Sequence, residues 1–306
     1  MRPEGLHHVT AITADAPRNV DFYARGLGLR LVKKTVNFDQ PDVYHLYFGD
    51  ERGTPGSILT FFEFPQAAPG HAGAGMVHTI RWRVGSEDAL AFWEQRLGDE
   101  GVSTERVDGS LAFADFEGLR HELVAVAVGD APLTARAEGI PPEHALLGFH
   151  GVRAYGVAPE ASAPLLQALG FEGAGAAWRV QGAERHALLD YDAPPAQRGV
   201  TNAGTVHHVA WSVADDGELS ALRERAAAAG AHPTQIIDRQ YFHSVYFREP
   251  SGVLFELASR DIGFGYDEPV DSLGEALKLP PQYEARRDEL ERLLTPLRNP
   301  RAQATA

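Results

Sequence analysis

Two histidine pairs stand in nearly the same local context, His7 and His8 in "GLHHVTAIT" and His207 and His208 in "TVHHVAWSV". Imidazole can ligate a metal or carry a proton near neutral pH, so what each ring faces decides what it does. Successive side chains along a strand point to opposite faces. By that parity Val209, Trp211 and Val213 share an apolar, helix-facing side with His207, while His208, Ala210 and Ser212 line a concave side. The same parity puts His8 and Thr10 in the concavity of the first segment and aims His7 and His207 away from it. In "SGVLFELAS", Glu256 alternates with Val253, Phe255 and Leu257. A carboxylate in such company carries a desolvation penalty unless a cation meets it. The matching place in the first segment, four residues past glycine in "PGSILT", is Thr60. His8, His208 and Glu256 thus form a candidate metal set of two histidines and one carboxylate. A lone histidine at a strand start is more often core or surface than ligand. Two at equivalent places, with a glutamate on the matching last strand, point to a metal.

Composition narrows the chemistry. The 306 residues contain no cysteine, which excludes disulfides, thiolate ligands and a cysteine nucleophile and leaves histidine and carboxylate for any metal. Twenty-eight basic residues against 42 acidic ones give a net charge of −14, which argues against nucleic acid or an anionic membrane as the main partner. No apolar run reaches membrane-spanning length, and "MRPEGLHHVT" does not read as a secretory signal. The expectation is a cytoplasmic protein acting on a small molecule, with a homo-oligomer possible.

The elements that must hold the site repeat. Four strand-like stretches begin at His7, His78, His150 and His207 ("HHVTAIT", "HTIRWRV", "HGVRAYGV", "HHVAWSV"). Each precedes a segment with apolar residues three and four apart that stops at glycine, such as "EDALAFWEQRLGDEG" and "DGELSALRERAAAAG". Short β-rich pieces follow, "LRLVKKTVNF", "VYHLYFGD" and "SILTFFEF" in the first unit. The pattern is strand, helix, three strands, four times. It predicts an α+β fold of four βαβββ modules: two N-terminal (5–65 and 75–128, within 1–135), two C-terminal (148–192 and 203–260, within 136–268), and a helical tail over 269–306. "GAGAG" lacks the spacing of a dinucleotide loop and reads as a linker. Thr79 and Gly151 fall at the ligand position of the middle units, and Glu122 is then a carboxylate without histidine partners. The middle units read as scaffold, with unit one paired to unit four and unit two to unit three.

This organisation resembles the vicinal oxygen chelate superfamily, whose βαβββ modules pair into curved-sheet cups around a metal. That superfamily includes glyoxalase I, extradiol dioxygenases, metal-dependent fosfomycin resistance proteins and metal-free antibiotic-binding proteins, so the fold alone does not choose a function. Two histidines and one carboxylate are the ligand set typical of non-haem Fe(II) oxygenases; Mn(II) is the alternative ion. The stretches "LHHVT", "YHLYFGDERGTPGS", "DRQYFHSVYFREPSGVLFE" and "SLGEALKLPPQYE" look like the bacterial dioxygenases that open hydroquinone rings. That resemblance implies Fe(II)-dependent insertion of both atoms of O₂ into a diphenol. It implies His8, His208 and Glu256 as ligands, with Tyr246, Arg239, His7, His207 and Thr10 around them. Gln240 departs from the pattern, standing where the chlorohydroquinone enzymes carry glycine. The rival readings are an extradiol catechol dioxygenase, a glyoxalase-type isomerase or lyase, and a metal-free aromatic-binding resistance protein.

Overall fold

The computed structural model describes residues 1–298 and 300–303. The first unit comprises β1 (Leu6–Thr13), α1 (Ala16–Val20), β2 (Arg30–Val36), β3 (Tyr44–Gly49) and β4 (Ile58–Glu63). The second holds β5 (Val77–Val84), α2 (Glu87–Asp99), β6 (Thr104–Val107), β7 (Ser110–Ala114) and β8 (Arg120–Ala125). The third holds β9 (Phe149–Tyr155), α3 (Ala163–Ala168), β10 (Glu172–Ala174), β11 (Ala177–Gln181) and β12 (His186–Asp192). The fourth holds β13 (Val206–Val213), α4 (Asp216–Ala228), β14 (Ile237–Asp238), β15 (His243–Arg248) and β16 (Leu254–Ser259). Side-chain oxygens of Asp15, Ser86 and Asp215 accept the amide hydrogen three residues on and so start α1, α2 and α4. In the first unit the helix loosens after one turn into a π-helical stretch over Asp21–Gly26.

Two eight-stranded sheets result. The first runs β14-β15-β16-β13-β1-β4-β3-β2 and the second β10-β11-β12-β9-β5-β8-β7-β6. The first unit therefore joins the fourth through antiparallel β1 and β13, and the second joins the third through β5 and β9. Both sheets are curled, as the four-module pattern predicts. One contiguous apolar core runs through all four units, with Val9, Trp82, Val152 and Trp211 fully buried on the strands. The linkers pack side by side: His71 pairs with Val200, and a Cβ on Gly73 would meet the backbone of Gly199. The tail, which contains α5 (Arg287–Leu293), lies along β2, where Leu277 bridges to Lys34 and Leu279 and Leu290 are buried. No helix among the described residues is long and apolar enough to cross a membrane.

Each central junction carries two β-bulges. Along β1 and β13 the register passes from Leu6↔Trp211 to His8↔Ala210, and from Thr10↔His208 to Ala11↔Val206. His7 and His207 are the extra residues. Along β5 and β9 the steps from Val77↔Ala154 to Thr79↔Arg153 and from Arg81↔Gly151 to Trp82↔Phe149 leave out His78 and His150 in the same way. A bulge leaves one residue unpaired, bends the strand and re-aims its side chain. The first histidine of every unit is a bulge residue.

Candidate metal centre

The register brings the predicted ligands together. Strand β13 places His208 opposite Thr10, two residues beyond His8, and strand β16 sets Glu256 beside Ala210. Nε2 of His8 and Nε2 of His208 are 3.2 Å apart, and Oε2 of Glu256 lies 3.1 Å from the first and 2.9 Å from the second. All three side chains are buried, Glu256 completely. Ligand atoms about 2.1 Å from a common centre and about 90° apart are separated by roughly 3.0 Å, so these spacings suit one face of an octahedral ion.

The hydrogen-bond directions support the same fit. His7 Nε2 meets the backbone carbonyl of Ser259 at 3.1 Å, and that carbonyl can only accept. Burial holds His7 neutral, its pKa lowered to about 3. A neutral ring with its hydrogen on Nε2 has a bare Nδ1, so it accepts from His8 Nδ1, 2.9 Å away. His8 thereby turns a lone pair on Nε2 toward a carboxylate oxygen. Burial would raise the Glu256 carboxyl, but the facing His8 and His208 rings outweigh it and hold the group well below the carboxylate range. The other carboxylate oxygen accepts from the Ser244 hydroxyl. Glu256 Oε2 is a buried atom without a hydrogen-bond partner, and with the two facing ring nitrogens it makes a donor set suited to a cation. The donors fit a divalent first-row ion, and a second ring nitrogen held by a hydrogen-bond partner, as His7 holds that of His8 and His207 that of His208, is the usual support of a ligating histidine.

Strict alternation fails at one place. It aims His7 and His207 away from the concavity, whereas the bulges turn both back toward the site. His7 Nδ1 touches His8, and His207 Nδ1 lies 2.7 Å from His208 Nδ1. His207 is exposed rather than packed under a helix, and it helps line the cavity over the ligands.

That cavity has a volume of about 310 Å³ and is walled by Phe38, Phe62, Phe64, Phe242 and Leu254. Tyr246 and Arg239 also line it, with Arg239 Nε donating to the Tyr246 phenol at 3.3 Å. Burial and the nearby Glu256 push the Tyr246 hydroxyl well above its ordinary value. Arg239 stays cationic because Tyr246, Asp39 and Glu256 overcome the effect of burial. At the rim Arg239 Nη1 lies 3.2 Å from the exposed carboxylate of Asp39. A larger cleft of about 950 Å³ between α1, β2 and the tail holds none of these donors.

Two contributors escaped sequence reasoning. His45 and Tyr47 on β3 line the same cavity. Alignment of "YHLYF" with "HSVYF" would have exposed them, because Tyr47 pairs with Thr60 as Tyr246 pairs with Glu256. In the second sheet the counterparts of His8, His208 and Glu256 are Thr79, Gly151 and Asp190, with Arg81 in the place of Thr10. Glu122, the expected carboxylate there, stands in the place of Thr60. Asp190 forms an ion pair with Arg81.

Comparison with known proteins agrees with this architecture. The family model described as "Glyoxalase/Bleomycin resistance protein/Dioxygenase superfamily" matches residues 5–119 and 144–257. The "Putative ring-cleaving dioxygenase MhqA" of Bacillus subtilis is 40% identical over 318 residues, covering 97% of this chain and all of the relative. The chlorohydroquinone/hydroquinone 1,2-dioxygenase of Sphingobium indicum is 34% identical over 319 residues, covering 96% of each chain. A crystal structure of a "putative dioxygenase" from Bacillus subtilis superimposes with a TM-score of 0.90 at 39% identity, covering 97% of this chain and 98% of that one. Glyoxalase I from Zea mays, at 15% identity and a TM-score of 0.58 over 83% of this chain and 92% of its own, shares the fold. With paired βαβββ modules, a His-His-Glu cluster at the junction of two of them and relatives matched end to end, this chain belongs to the Glyoxalase/Bleomycin resistance protein/Dioxygenase superfamily.

Proposed function

We propose that the protein is an Fe(II)-dependent dioxygenase that opens the ring of a hydroquinone-type diphenol, with His8, His208 and Glu256 holding the metal. The observation that carries the reading is the convergence of His8 Nε2, His208 Nε2 and Glu256 Oε2 within 3.2 Å of one another at the floor of an aromatic-walled cavity. Its kinship with ring-cleaving and hydroquinone dioxygenases over nearly the whole chain selects the reaction. Mn(II) satisfies the same donors and is the alternative ion.

Such an ion supplies a Lewis-acidic, redox-active centre at which a phenolate and O₂ can react. The protein's own groups do the rest. A 310 Å³ cavity accommodates one substituted ring between its phenylalanines. Phe242 packs its ring 5.1 Å from those of both His7 and His8, placing an apolar wall beside the ligand side of the cavity. Tyr246 stays protonated and so can donate to an anionic oxygen of the substrate or reclaim a proton from it. Arg239 holds the Tyr246 hydroxyl and adds a fixed positive charge where oxyanion character develops. His7 supports His8, Thr10 lines the cavity on the face of β1 that carries His8, and His207 backs His208 from the cavity side.

Glyoxalase-type chemistry usually employs a fourth protein ligand. Thr60 holds that place here, and its hydroxyl is committed to His45 and Thr10. The deciding experiment is O₂ uptake with a panel of diphenols after anaerobic loading with Fe(II). Hydroquinones should give one O₂ per ring opened, catechol much less, and argon should abolish turnover. Preference for catechol would favour the extradiol reading. Turnover of a thiol adduct under argon would favour isomerisation, and a chain that binds aromatics without metal would be a sequestering protein.

A further inference from the structure

A chain of hydrogen bonds crosses the cavity floor on the side away from Glu256. Tyr47 Oη is 2.9 Å from His45 Nδ1, His45 Nε2 is 2.7 Å from Thr60 Oγ1, and Thr60 Oγ1 donates to Thr10 Oγ1 at 3.2 Å. We propose that His45 is a positioning residue that sets the direction of this chain, so that Thr10 turns its hydroxyl hydrogen toward an oxygen of the bound diphenol.

Counting hydrogens fixes the direction. A threonine hydroxyl has one hydrogen, and that of Thr60 goes to Thr10. Toward His45, Thr60 is therefore an acceptor, and His45 carries its hydrogen on Nε2. Burial keeps this ring neutral. Its Nδ1 is then bare and accepts from the Tyr47 phenol. At the far end Thr10 already receives a hydrogen, and its own has no acceptor among the described residues. Thr10 sits on the face of β1 that carries His8, directly opposite His208 in register, and helps line the cavity. The missing acceptor lies where a ligand oxygen would enter.

The internal symmetry shows what the chain replaces. In the fourth unit Ser244 takes the place of His45 and donates straight to Glu256, and Ala210 takes the place of Thr10. The half that supplies the carboxylate needs one short bond to orient it. The half with Thr60 instead extends that bond into a relay ending on a donor. A buried hydroxyl with a fixed direction stabilises an oxyanion without reorganising during the reaction.

The donor role rests on the diphenol reading, whereas the chain's direction does not, so two measurements separate them. The first is the ring-nitrogen NMR of ¹⁵N-histidine-labelled full-length protein loaded with Zn(II), with the His45 signals assigned by their loss in His45→Gln. A protonated Nε2 and bare Nδ1 at pH 7 are expected; the opposite tautomer would reverse the chain and overturn the proposal. The second is kinetics on hydroquinone. Thr60→Val should lower kcat about ten- to a hundredfold, with KM within about threefold and metal stoichiometry unchanged. Thr60→Ser should restore most of the rate, and His45→Gln, which keeps one donor and one acceptor, should lose less than His45→Phe. A metal-loaded Thr60→Val or His45→Phe protein with wild-type kcat would also overturn it. A wild-type protein inert toward every diphenol, yet with the expected tautomer, would sink the activity reading and leave the chain's direction supported.

Discussion

The two eight-stranded sheets are built alike at their centres and differ in where the positive charge comes from. Each has a pair of antiparallel strands kinked by two bulges, with a histidine at every bulge: His7 and His207 in one, His78 and His150 in the other. In the first sheet each bulge is followed by another histidine, and buried Glu256 faces two ring nitrogens. In the second sheet Thr79 and Gly151 follow, and Asp190 meets the guanidinium of Arg81. His78 Nδ1 still finds a partner in the Thr79 hydroxyl at 2.9 Å, where His7 finds His8. His150 Nδ1, next to a glycine, is left without one. The bulge histidine therefore belongs to the module, and the residue after it decides whether a second imidazole is present to face the carboxylate. One sheet carries its own cation; in the proposed reading the other takes one from solution.

The largest test separates ligand from bulge. His208→Ala should reduce bound iron, measured by elemental analysis, to a few per cent and ring cleavage by at least about a thousandfold. His78→Ala and His150→Ala should retain the full metal content, and iron lost from either would break the division between the sheets. Next, Tyr246→Phe should keep the iron and lower kcat by about a hundredfold. His7→Ala should weaken metal affinity by about ten- to a hundredfold in a competition assay, because His8 loses the acceptor that fixes its tautomer.

The second sheet's counterpart effect is on folding rather than metal. On β8, fully buried His121 accepts from Trp82 Nε1 at 3.2 Å and contacts Tyr23 at 3.0 Å, tying the first unit to the second. Burial lowers its pKa from 6.5 to about 3. A depressed folded-state pKa gives stability that is present above pH 6.5 and is lost as pH falls toward 3. Between pH 7 and pH 5 this residue alone should remove about 2 kcal/mol, and urea titrations of His121→Gln should show a correspondingly flatter profile. The smallest effect belongs to the Arg239 loop. Gln240 sits at φ 67°, a left-handed conformation that favours glycine, while its side chain bonds Asp267 at 2.9 Å. Gln240→Gly should change stability by less than about 1 kcal/mol, since relieved strain offsets the lost bond.

Much of the site was legible before any coordinates. His8, His208 and Glu256 are marked by their repeat context and by a charged residue within an apolar strand. Tyr246 and Arg239 came by resemblance, and the cavity now holds both. His7 and His207 were misdirected because alternation assumes an unbroken ladder, and a bulge is a property of two paired strands rather than of one. Asp190 went unnoticed for a related reason: with no histidine beside it, nothing local marked it as the counterpart of Glu256.

The amino-acid order alone determined the four modules, their helix stops and the absence of thiol chemistry, and it singled out the three candidate ligands. Those follow from short-range periodicity and from residue chemistry, which are written along the chain. Only the tertiary structure decided the register at which β1 meets β13 and β5 meets β9, that bulges there turn four histidines, and that His45 reaches Thr60. Each of these depends on register between segments distant in the chain, and register is settled when strands pair.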